Sequence, residues 1–182
     1  MRLFIAITFR AELRRFLAGL GEAAAAAGVK GRFSPEENLH LTLAFIGESQ
    51  RREELVGILE NLRGSAFSLE IGGLGRFVKR GGDVLWLGVR ESQPLLELYG
   101  KLSGALRTAG FSLEERPYRP HITLARQARF PSEELYYDLK KQCPWFKVVA
   151  DRVSLMESCR LEGRLVYREL WGKTLPEETA EK

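Results

Sequence analysis

The segments His40-Leu41-Thr42-Leu43-Ala44 and His121-Ile122-Thr123-Leu124-Ala125 repeat one pattern 81 residues apart, and they hold both histidines of the 182-residue chain. Apolar residues alternate with His and Thr, the period of a strand whose two faces differ. His40 and Thr42 share one face, roughly 7 Å apart, while Leu41 and Leu43 share the other. The second segment reads the same way, with His121 and Thr123 opposed to Ile122 and Leu124. Each segment is therefore a strand with one face for a core and one face for chemistry.

The surroundings repeat as well. Leu3 to Ile7 is an apolar strand, and Ala11 to Ala27 is a helix with Leu13, Phe16, Leu17 and Leu20 at helical spacing and Gly28 as its stop. Ser34 to Asn38 is a turn, Leu39 to Ile46 a strand ended by Gly47, and Glu53 to Leu62 a second helix. Ala66 to Ile71 is a strand, and Gly72 to Gly82 is a glycine-rich connection between lobes. The same order then returns: a strand at Val84 to Val89, a helix at Leu95 to Leu106 closed by Gly110, and the strand of His121. Glu53-Glu54-Leu55 recurs 80 residues on at Glu133-Glu134-Leu135, and Phe67 recurs 79 on at Phe146. Three landmarks with offsets this close imply an internal duplication and two pseudo-symmetric lobes. Val153 to Met156 and Leu165 to Trp171 add strands, and the polar stretch 173–182 is expected to fray.

Composition bounds the rest. A length of 182 residues with 45% apolar and 29% charged residues is one globular domain, spanning 1–182, neither fibrous nor disordered. Lys plus Arg exceeds Asp plus Glu by 28 to 24, a mild bias toward anionic partners. The two cysteines, Cys143 and Cys159, are too few for a disulfide scaffold and read as free thiols. No apolar run approaches the ~18 residues of a membrane span, and the short start Leu3 to Ile7 is no secretory leader. A cytoplasmic protein without membrane contact is expected.

Two imidazoles facing each other across a cleft suit phosphodiester cleavage, which needs a base on the attacking side and an acid on the leaving side. A histidine pKa near ~6.5 lets one ring be neutral while the other is protonated. Thr42 and Thr123 can donate to phosphate oxygens, and Arg126, five residues after His121, can balance charge in the transition state. A lone histidine on an apolar strand is usually a packed or surface residue; two in matched settings are not so easily dismissed. A zinc site is disfavoured, because neither motif supplies a Cys or carboxylate to complete a ligand set. Gly72-Gly73-Leu74-Gly75 lacks the spacing of a phosphate loop. Arg76, Lys79, Arg80, Arg116, Arg119, Arg126 and Arg129, with Phe77 and Tyr118 among them, either line a channel for an anionic chain or are scattered solvated residues.

The segments Pro35 to Gly47 and Arg116 to Arg126 resemble the two signature segments of the RNA 2′,3′-cyclic phosphodiesterases, historically called 2′-5′ RNA ligases, of the two-histidine phosphoesterase superfamily. The resemblance extends from Leu3 to Ile7 through Gly75-Arg76-Phe77 to Val166-Tyr167. It implies an α+β fold, each lobe an antiparallel sheet with helices outside, around a central cleft. It implies hydrolysis of RNA 2′,3′-cyclic phosphate ends to 2′-phosphates without metal or cofactor, with weak reversible 2′-5′ ligation alongside. By that likeness His40 is the proton donor and His121 the proton acceptor, an order that spacing alone does not supply. Thr42, Thr123 and Arg126 match substrate-binding positions, and Phe45 stands where a ring either stacks on a terminal base or packs into the core. The implied partner is RNA ending in a cyclic phosphate or carrying a 2′-5′ linkage, and a monomer without a protein partner is expected. Two rival readings remain: a cyclic phosphodiesterase for a small nucleotide or ADP-ribose derivative, and a non-catalytic RNA-end-binding module. Two departures from the family pattern, Ile7-Thr8-Phe9-Arg10 and Ser34, lie off the histidine positions.

Overall fold

The computed structural model describes residues 1–177; the last part of the expected frayed tail, 178–182, lies outside the described residues. The elements run β1 (Arg2–Thr8), α1 (Ala11–Ala26), β2 (Lys30–Phe33), a 3-10 turn (Glu36–Asn38), β3 (His40–Glu48), α2 (Arg52–Asn61), β4 (Phe67–Phe77) and β5 (Asp83–Val89). They continue with α3 (Gln93–Thr108), β6 (His121–Arg129), α4 (Glu133–Gln142), β7 (Phe146–Ala150), β8 (Arg152–Leu161) and β9 (Arg164–Thr174). Local chemistry sets several boundaries. Pro94 sits in the first turn of α3, where its missing N–H is no loss. The Ser132 hydroxyl caps α4 by accepting from the Leu135 amide at 3.3 Å, while Glu133 and Glu134 begin the helix and Lys140 and Lys141 end it, as the helix dipole favours.

Two wholly antiparallel sheets result, one in the order β3-β1-β8-β9 and the other β2-β6-β5-β4-β7. The α+β class and the two lobes match the expectation, but the lobes are not the two halves of the chain. From the first half, β4 crosses over to pair with β5; from the second half, β8 crosses back to pair with β1. The pairing registers carry the duplication. Ile5 lies opposite Ala44 on one side and Leu155 on the other; Leu85 lies opposite Ala125 and Arg76. Ile5 thus corresponds to Leu85, Ala44 to Ala125 and Arg76 to Leu155, at offsets of 80, 81 and 79 residues.

Two expectations need correction, and one strand was not foreseen. Gly72 to Phe77 is no connection between lobes but the second half of β4, and the hairpin turn to β5 lies beyond it. Glycine is there for space: a Cβ on Gly75 would stand 2.1 Å from the Trp86 ring, and one on Gly73, at φ +61°, 2.5 Å from Trp145. Lys30-Gly-Arg-Phe33 carries no strand signal, being short and half charged, yet it forms β2 against β6. Residues 173–176 of the stretch expected to fray are anchored. Leu175 is buried and its amide donates to the Asp151 carbonyl, while the Ala66 amide donates to the Pro176 carbonyl.

One continuous apolar core runs under both sheets and includes Leu41, Leu43, Ile122 and Leu124 from the inner faces of the two histidine strands. Each of these four side chains, cut back to Ala, would cost roughly 2–5 kcal/mol. That anchorage fixes which way the other face points.

Candidate active site

The polar faces of β3 and β6 come together where the two sheets meet, and the strands have identical burial from end to end of the motif. His40 and Thr42 are half-buried, Leu41, Leu43 and Ala44 are buried, and Phe45 is exposed; His121, Thr123, Ile122, Leu124, Ala125 and Arg126 repeat that order. The two consecutive buried residues mark a bulge. From Ile5 to Ala6, β1 advances one residue while β3 passes from Ala44 to Thr42; from Leu85 to Trp86, β5 advances one while β6 passes from Ala125 to Thr123. Each histidine strand therefore holds one extra residue, Leu43 or Leu124. In simple alternation, residues five past each histidine would face the core. The bulges return Phe45 and Arg126 to the histidine face as equivalents of each other. Phe45 is 53% exposed, so it is no core residue.

Each imidazole is held by the same device. His40 Nδ1–H donates to the Asn38 carbonyl and His121 Nδ1–H to the Arg119 carbonyl, both at 2.7 Å and both two residues back. This fixes the tautomer and leaves each Nε2 as the reactive nitrogen. His40 is flanked by Phe4 at 4.9 Å and Tyr167 at 5.2 Å between ring centroids; His121 by Phe77 at 5.1 Å and Trp86 at 6.1 Å. One difference breaks the symmetry. The Thr42 hydroxyl donates to His40 Nε2 at 3.0 Å, whereas His121 Nε2 meets no protein partner among the described residues.

Burial, more than anything else, lowers the pKa of His40 to about 4, helped by the positive fields of Arg126 and His121 and opposed by the Asn38 carbonyl. His121 is lowered too, by burial and then by Arg126, against the Arg119 carbonyl. Arg126 thus acts on both rings, so its charge lies within electrostatic range of both motifs. A cation that disfavours two imidazolium ions marks a site shaped for an anion.

The motifs are also strapped to each other. Ser34, from the segment preceding the first motif, donates its hydroxyl to the Thr123 carbonyl at 2.8 Å, and its amide donates to the Leu124 carbonyl at 2.7 Å. Tyr118, from the segment preceding the second, donates its hydroxyl to the Thr42 carbonyl at 3.1 Å and stacks on Tyr99 at 4.1 Å. Asn38 is buried, donates to the Leu165 carbonyl and accepts from the Tyr167 amide, so it pins the turn before His40 to β9. Asn38, Ser34, Tyr118, Tyr167 and Phe4 thus support the site without a catalytic signal of their own. The only trace in sequence is that Asn38 and Arg119 both stand two residues before a histidine.

A family model described as 2′-5′ RNA ligase superfamily matches residues 11–160 of the chain. The chain belongs to that superfamily. Over 178 residues it is 34% identical to the RNA 2′,3′-cyclic phosphodiesterase of Thermotoga maritima, covering 94% of each chain. It is 35% identical over 130 residues to the Escherichia coli protein of the same name, covering 70% of this chain and 72% of that one. The crystal structure of E. coli LigT complexed with 3′-AMP superposes with a TM-score of 0.78 at 29% identity, over 96% of this chain and 97% of the other.

The structure also sorts the basic residues around this superfamily member's site. Arg76 is neutralised by Asp83 and Glu133 and lies over the Tyr136 ring, and Arg116 pairs with Glu114. Arg126 and Arg129 take no carboxylate partner among the described residues. A cavity of about 670 Å³ lies away from the histidines, between α2 and α3, lined by Ile58, Leu62, Lys101 and Ala105.

Proposed function

We propose that the chain hydrolyses RNA 2′,3′-cyclic phosphate ends to 2′-phosphates by acid and base catalysis between His40 and His121. The observation that carries this is the paired device of the site: two imidazoles with Nδ1 fixed, both pKa values lowered, and one arginine whose charge reaches both. The relatives' names support the substrate class. His121, with Nε2 open, takes a proton from water as its oxygen attacks phosphorus. The P–O3′ bond breaks in line, and His40 Nε2–H delivers its proton to O3′. The product holds the phosphate on O2′ and a free 3′ hydroxyl, and with an RNA 5′ hydroxyl in place of water the same displacement gives a 2′-5′ linkage.

At neutral pH His40 is unprotonated in the free protein, so the acid is charged by its substrate. An anionic phosphate between the rings offsets the Arg126 field and favours the imidazolium. Protonated His40 then donates from Nε2, and the Thr42 hydroxyl, no longer needed as donor to the ring, turns its proton to a phosphate oxygen. Thr123 does the same from the opposite strand, and Phe45 offers its exposed ring to the terminal base. The displacement as written uses only the two imidazoles, the threonine hydroxyls and Arg126, and calls on no metal ion. The two free thiols suit a cytoplasmic location.

The test is hydrolysis of an oligoribonucleotide ending in a 2′,3′-cyclic phosphate, with chelator present. His40→Ala and His121→Ala should each slow turnover by about 100- to 10,000-fold. Full activity in either variant, or loss of wild-type activity to chelator, would overturn the mechanism.

A further inference from the structure

The registers of β2 and β6 set like charges directly opposite each other. Arg32 is the partner of Arg126 and Lys30 the partner of Arg129. Opposed like charges destabilise an antiparallel ladder, and here two such rungs lie side by side. All four residues are exposed, and among the described residues none takes an ion pair or a side-chain hydrogen bond.

They also share one face, which three-residue spacing from 126 to 129 would ordinarily forbid. Lys30 and Arg32, two apart, point the same way, and β6 spends three residues where β2 spends two. The extra residue is absorbed at Gln127, whose φ of +53° is rare for a side chain of its kind. The opposite face confirms the sorting. Ala125 and Ala128 are buried, and Gly31 approaches so closely that a Cβ would stand 3.1 Å from the Ala128 Cα. Arg126 belongs to the histidine face, so the other three cations do too.

We propose that Arg32, Arg129 and Lys30 form a phosphodiester-binding track that leads from the histidines along the outer edge of the second sheet and holds the RNA backbone upstream of the cyclic phosphate. This rests on the hydrolytic reading above and extends it: the track, and not the catalytic pocket, makes the enzyme prefer a polynucleotide to a mononucleotide. Consecutive rungs lie two β2 residues apart, roughly 7 Å, a spacing that consecutive phosphates of an extended strand can match. The unfavourable opposition of charges in the free protein is relieved when phosphates lie between them.

The experiment compares kcat/KM for two substrates, a nucleoside 2′,3′-cyclic phosphate and a short oligoribonucleotide ending in the same group, in wild type and in Lys30→Ala/Arg32→Ala. The oligonucleotide-to-mononucleotide ratio should fall at least tenfold in the variant, through KM. Its salt slope with the oligonucleotide should drop by about 1.4, or ~0.7 per lost phosphate contact on a single strand. Lys30→Arg/Arg32→Lys should restore both. An unchanged ratio and slope would overturn the track while leaving the hydrolytic reading intact, because mononucleotide turnover reports on that reading separately. If the wild type cleaves neither substrate, the hydrolytic reading itself fails and the track with it.

Discussion

The two histidines can be followed one by one, because the chain holds no others. His40 lies about 2.5 units below the ordinary ~6.5, and at roughly 1.4 kcal/mol per unit this amounts to about 3 kcal/mol against protonation. The sign follows. The unfolded chain takes up the proton near ~6.5 and the folded chain only near 4, so His40 leaves stability intact above ~6.5. Stability is then lost as pH falls toward 4, with the full cost of about 3 kcal/mol reached below it. An anion between the rings should reverse this. If bound phosphate restores His40 to its ordinary value, the protonated protein binds phosphate about 300-fold more tightly than the neutral one, by tenfold per unit. The assay is an NMR titration of the imidazole carbon-bound protons from pH 3.5 to 8, without and with inorganic phosphate, repeated on Arg126→Ala. Free protein should show both rings below ~6.5, His40 the lower. Phosphate should move both upward, and Arg126→Ala should raise both without phosphate. A His40 that titrates at its ordinary value in the free protein, or one that phosphate drives further down, would refute the burial argument and the substrate-charged acid together.

Three other outcomes are expected. Ser34→Ala and Tyr118→Phe each remove one strap between the motifs and should lower stability by about 0.5–1.5 kcal/mol in urea unfolding. Each should lower kcat more than it raises KM, while straps that merely hold loops would leave kcat alone. Asn38→Ala strands the Leu165 carbonyl and Tyr167 amide and should cost roughly 2–3 kcal/mol; Asn38→Asp restores only the acceptor and should recover part of it. Phe45→Ala should leave the melting temperature nearly unchanged, since the ring is exposed, but raise KM for an oligonucleotide by about 5- to 150-fold if a base stacks there at ~1–3 kcal/mol; an unaltered KM would remove Phe45 from the site.

The parts of the site that alternation governs were legible in the sequence. His40, Thr42, His121 and Thr123 share faces with one another because leucine and isoleucine claim the other face, and no distant partner is needed to see it. Phe45 and Arg126 were a different matter. Their odd offset from the histidines points them inward until bulges at Leu43 and Leu124 are known, and those bulges exist only in the register with β1 and β5. The straps from Ser34 and Tyr118 span 89 and 76 residues, so local pattern holds no trace of them. Gly72 to Gly75 reads as a loop because glycine signals turns; its actual cause is the two indoles that lie over the strand. Lys30 to Phe33 forms a strand only because β6 offers it an edge.

The crossing of β4 and β8 bears on how such a chain could have arisen. A single repeat would end in a strand with no place in its own sheet, since that strand pairs with the opening strand of the other repeat. Two identical copies could satisfy each other only by mutual exchange, in a closed isologous dimer. Its two equal histidines would then meet on the symmetry axis. Fusion of the copies would free each to change alone, and the equivalent positions Phe45 and Arg126, one an aromatic ring and the other a cation, show how far the two repeats differ on the face they share with the histidines.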